Sequence, residues 1–101
     1  MAMQTDVLAS AVRTTDGQLL DQASGTITRA RIKSIYIVPS GTAGSVAFID
    51  GGASGATRLT VNTVASATQP TYLLLPGEGL LFSTNIYVDV TNIDSVTVFY
   101  G

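Results

Sequence analysis

The stretch Ile27-Thr28-Arg29-Ala30-Arg31-Ile32-Lys33-Ser34-Ile35-Tyr36-Ile37-Val38 decides the fold class. Its second half is crowded with β-branched and aromatic residues, and no apolar stripe recurs at three- and four-residue spacing, so extended backbone fits it and a helix does not. One face reads Ile27, Arg29, Arg31, Lys33, Ile35 and Ile37, and the other Thr28, Ala30, Ile32, Ser34, Tyr36 and Val38. Both faces are apolar from Ile35 onward, which predicts burial on both sides for that half of the strand. Arg29, Arg31 and Lys33 line one face of the other half.

The same period of two continues towards the C-terminus. Pro39-Ser40-Gly41-Thr42-Ala43-Gly44 breaks the strand, and Ser45 to Asp50 follows with Val46 and Phe48 on one face, which reads as a hairpin. After the turn Asp50-Gly51-Gly52-Ala53-Ser54-Gly55, Leu59 and Val61 point inward against Arg58, Thr60 and Asn62. Thr71 to Leu75 is the next strand, opened by Pro70, which lacks a donor and suits a strand start or edge, and stopped by Pro76-Gly77-Glu78-Gly79. Leu80 to Ser83, Ile86 to Thr91 and Ser95 to Tyr100 complete the chain, with Ile86, Val88, Val90 and Val96, Val98, Tyr100 as facing rows. Upstream, Val7 to Thr14 alternates only weakly and fits a short strand or a brief helix, Asp16-Gly17 signals a turn, and Leu19 and Leu20 anchor a second short segment. The expected fold is all-β: a single small antiparallel β-sandwich or jelly-roll-like domain of about seven to nine short strands. Residues 26–101 form the sandwich, and residues 1–25 an N-terminal arm or short strands that pair with their own domain or a neighbour's.

Composition narrows the function classes. With 101 residues the chain supports one core, and without Cys it has neither a disulfide framework nor a thiolate metal site. Charged residues make up 12% of the chain, about half the usual roughly 25%. The five cations are thinly spread and the net charge is −2, which argues against nucleic acid as a partner, because backbone binding needs a sizeable basic footprint. The uncharged run from Leu59 to Gly77 is interrupted by Thr60, Asn62, Thr63, Ser66, Gln69, Pro70 and Thr71, so it is not a membrane span, and Met1 to Asp6 does not read as a secretory signal.

The residues offer little catalytic chemistry. His and Cys are absent, which removes the commonest general base, metal ligand and thiol nucleophile. Glu78, the only Glu, lies in a turn, and every aspartate but Asp89 sits in the arm or beside a turn, where solvated turn and cap roles account for it. Asp50 with its glycines faintly suggests a Ca²⁺ loop, but the twelfth loop position is Val61 and not an acid. Gly51, Gly52 and Gly55 precede no helix and no Lys, so they make a hairpin and no phosphate cradle. Tyr36, Tyr72, Tyr87 and Tyr100 suit sugar stacking or, more commonly in strands, a core or interface. Expected catalytic, cofactor and metal residues are therefore none. The arm residues Thr5, Asp6 and Val7 and the cations Arg29, Arg31 and Lys33 are the expected partner contacts.

Across Thr5 to Gly101, the runs Thr5-Asp6-Val7, Arg13-Thr14-Thr15-Asp16-Gly17, Ile35-Tyr36-Ile37-Val38, Asp50-Gly51-Gly52, Leu80-Leu81-Phe82 and Val96-Thr97-Val98-Phe99-Tyr100-Gly101 resemble small virion proteins of tailed bacteriophages. The resemblance implies a capsid cement or decoration subunit on the virion surface. It implies partnership with the major capsid protein and with further copies of itself, commonly as a trimer. A tail, adaptor or fibre-base component and a small carbohydrate-binding β-sandwich are the alternatives.

Overall fold

The computed structural model describes residues 8–66, 69–77 and 79–101. Among the described residues nine strands are present: β1 (Leu8–Ala9), β2 (Gly17–Gln18), β3 (Ala30–Pro39), β4 (Gly44–Asp50), β5 (Ala56–Thr63), β6 (Thr71–Leu74), β7 (Leu80–Phe82), β8 (Ile86–Thr91) and β9 (Ile93–Tyr100). One sheet has the order β1-β9-β3-β6, with β7 also on β3, and the other has the order β2-β8-β4-β5. Every pairing is antiparallel.

Strands β6 and β7 pair with the same side of β3, Leu73 opposite Ile35 and Leu81 opposite Arg31, so they are two halves of one strand broken at 75–79. The backbone returns to β3 inside the break, where the Leu75 N–H donates to the Lys33 carbonyl at 3.0 Å. Gly79 makes the return possible: its φ is +93°, and a Cβ there would run into the Ile32 carbonyl. With β6 and β7 counted together, the eight strands pass between the sheets at every connection except the β4–β5 hairpin, which is the jelly-roll order. The all-β, two-sheet architecture expected from the sequence is the observed one.

The inner faces of both sheets meet in one core that includes Ile32, Ile35 and Ile37 of β3, Val46 and Phe48 of β4, Phe82 of β7 and Val96 and Val98 of β9, all fully buried. Ile86 and Val88 face Val96, Val98 and Tyr100 from the opposite sheet and not from a neighbouring strand. Residues preceding β3 join the same core. Leu19 is fully buried, its N–H donates to the Ile86 carbonyl at 2.8 Å, and Ile27 donates to the Leu19 carbonyl at 3.1 Å.

Several local expectations are corrected. Strands β3 and β4 belong to different sheets, so the segment between them crosses the sandwich instead of closing a hairpin; Pro39 is the buried last residue of β3 and pairs with Ile93. The last strand, expected from Ser95, begins instead at Ile93, and the reversal between β8 and β9 falls on Asn92 alone, at φ +54°. Most consequential is a register shift between Ile32 and Ser34 on β9, which makes Lys33 an extra residue. This bulge exchanges the faces of β3. Ile32 before it and Ile35 and Ile37 after it all point into the core, and Arg31 shares the outer face with Tyr36 rather than with the isoleucines. The far half of β3 is accordingly buried on one side only, with Tyr36 exposed at 38%.

Candidate interaction surface

On the outer face of the first sheet, cross-strand partners form rows. Leu74, Ser34, Phe99 and Ala9 make one row across β6, β3, β9 and β1, and Tyr72, Tyr36 and Thr97 make the next. Leu74 is 71% exposed and Tyr72 60%, so together with Tyr36 half of the exposed large hydrophobics among the described residues cluster here. Single exposed apolar side chains are ordinary, but three on adjoining positions of one flat sheet form a patch.

Charge brackets this patch. Arg31, half-buried opposite Leu81, lies at the β7 end of the face; Lys33 sits half-buried at the bulge, and Arg29 is exposed just before β3. At the other end of the face Asp94 is exposed, set out of register between Ser95 and Ile93 by a second irregularity. Thr5, Asp6 and Val7 lie outside the described residues. The sequence brought out the cations but not the apolar patch, because in a strand apolar on both sides alternation cannot say which row is core. The one usable signal was Tyr36 in register with the apolar run.

The acids do not converge. Among the described residues no group of three or more His, Cys, Asp or Glu is placed to hold a metal ion. A depression of about 650 Å³ lies open at one end of the sandwich with Asp16 and Asp94 on its wall. The Asp16 carboxylate is already engaged, accepting the Val90 N–H at 2.7 Å.

Asp50 departs from the solvated turn role expected of it. It is 7% exposed, and its carboxylate accepts four hydrogen bonds: from the Ser83 N–H and hydroxyl (3.1 and 3.0 Å), the Thr84 N–H (3.0 Å) and the Arg58 guanidinium (3.2 Å). The backbone donors of Thr84 and Ser83, more than the Ser83 hydroxyl and Arg58, hold its pKa far below the ordinary carboxylate range, against the opposing effect of burial. A carboxylate so fully used as an acceptor is a clamp between β4 and the β7–β8 connection, not a general base. Arg13 plays a similar part in the 14–18 loop, donating to the carbonyls of Thr15, Asp16 and Gln18, each at 2.9 Å. Burial, with a contribution from Asp21, raises the pKa of Tyr100, which leaves Tyr36 and Tyr72 as the exposed tyrosine pair. No protein-family model, curated protein or solved structure matches the chain.

Proposed function

We propose that the chain is a non-catalytic structural subunit that works by protein–protein assembly, in the setting of a tailed-phage virion, where it sits on the capsid surface as a cement or decoration protein and stabilises the head. The observation that carries the assembly reading is the exposed Tyr36, Tyr72 and Leu74 patch on an otherwise neutral, low-charge jelly roll. A chain of this size gains stability when such surface is covered by a neighbour. Jelly rolls serve many functions, so the virion address rests on the sequence resemblance alone.

The test is to incubate the purified chain with phage heads lacking it and to sediment them. Saturable co-sedimentation, with heads that withstand a higher temperature before releasing DNA, is the expected result; a chain left in the supernatant overturns the cement role. Immunogold labelling concentrated on the tail would move the same subunit to the tail, adaptor or fibre-base position.

The cross-strand Tyr36 and Tyr72 pair favours one further reading, a carbohydrate-binding sandwich, since two adjacent aromatic side chains on a flat face can stack a sugar ring. Binding on a glycan array that is lost in Tyr72→Ala would support it, and silence across the array would remove it.

A further inference from the structure

We infer that the outer face of the β1-β9-β3-β6 sheet binds a second copy of this chain, strand against antiparallel strand, about a two-fold axis that crosses β3 at the level of Ile35. This deepens the assembly reading above and rests on it.

The inference follows from how the face is laid out about that level. Arg31 lies four positions before Ile35, and Asp94 lies beside Val38 and Pro39, three to four positions after it. With the bulge at Lys33 and the irregularity at Asp94 allowed for, each charge is about 10 Å from the axis at the strand rise. A two-fold axis in the plane of the interface and perpendicular to β3 reverses strand direction, so Arg31 of one protomer arrives at the Asp94 end of its partner, twice over. The alternative axis, parallel to β3, would set Arg31 against Arg31. Arg58–Asp50 is the one ion pair among the described residues, so neither Arg31 nor Asp94 has an ion-pair partner there.

The same operation matches shapes. It lays the Tyr36 and Tyr72 row of one protomer over the Ser34 and Leu74 row of its partner. Tyr36 comes to lie over the row position of Ser34, which is small and itself buried, and Tyr72 meets the exposed Leu74. Four strand widths by the span from Arg31 to Pro39 give a footprint of about 500 Å² in plan, which side-chain relief raises towards the roughly 800 Å² per partner of a stable interface. Face-to-face sheets also pack in nearly aligned fashion, as this axis requires. A pair, and not the trimer implied by the resemblance, is then the assembling unit.

Light scattering and sedimentation of the full chain test this. Wild type is expected near twice 10.4 kDa, and dissociates more readily at high salt. Arg31→Glu and Asp94→Arg should each raise the dissociation constant at least about tenfold, because each sets like charges together at both ends. The equimolar mixture of the two single variants should recover the pair, as should the double variant; misfolded chains would do neither. Tyr72→Ser should weaken the pair in any charge background. An oligomer indifferent to these substitutions overturns the proposed face and leaves the assembly reading standing. A wild-type chain that remains monomeric at high concentration overturns the inference, and only a failure to bind heads as well overturns the assembly reading.

Discussion

The Asp50 carboxylate ties its neighbourhood to pH. Its pKa is lowered on folding from an unfolded value near 3.9, so its contribution to stability is complete above about pH 5 and is lost as the pH falls through the acid range. Urea unfolding at a series of pH values should show the midpoint of the wild type dropping between about pH 5 and pH 2, with a shallower drop in Asp50→Asn. At neutral pH that variant should be the less stable of the two, because its amide leaves buried donors poorly matched. Arg58→Ala should matter less than Asp50→Asn, since the Ser83 and Thr84 donors remain and Arg58 is 45% exposed. Gly17 is the second sensitive point. A Cβ there would collide with the Arg13 guanidinium, and φ is +154°. Gly17→Ala should therefore cost about 1–2 kcal/mol by thermal unfolding, part of it recovered in an Arg13→Ala background.

Among the elements, β3 shows what the sequence could and could not tell. Its strand character was plain from Ile32 to Val38, but the bulge at Lys33 was not, because either register supplies an apolar row. The trace it leaves is a change of parity: the buried isoleucines step from 32 to 35 rather than by an even number. The β3–β4 crossing was hidden for a different reason. Pro, Gly and Ser suit a hairpin and an inter-sheet connection equally, and the choice is made by which faces must reach the core. The alternation of β5 was read correctly, with Leu59 and Val61 half-buried and Arg58, Thr60 and Asn62 exposed. Fully buried Phe48 on β4 and Phe82 on β7 fill the space between the sheets, so Phe48→Ala should lose about 3–5 kcal/mol in chemical denaturation. That is a large part of the roughly 5–15 kcal/mol available to a domain. Gly79→Ala should detach β7 from β3, seen as faster amide exchange at Ile32, whose partner across the ladder is Leu80, while Arg31, whose N–H donates to the Gly101 carbonyl, is affected less.

At the scale of the whole molecule, the charged residues noticed in the sequence acquire meaning only through the fold. Arg31 and Asp94 are far apart in the chain and mark opposite ends of one face because β3 and β9 are antiparallel neighbours. No reading of spacing along the chain could place them so. The same neighbourhood governs how the protein folds. Strand β9 lies between β1 and β3, and Leu8 pairs with Tyr100. The first sheet therefore cannot be completed until β9 joins it, and contacts so distant in sequence form slowly. Until β9 inserts, the unpaired edges of β1 and β3 stand open to any other unfolded copy nearby.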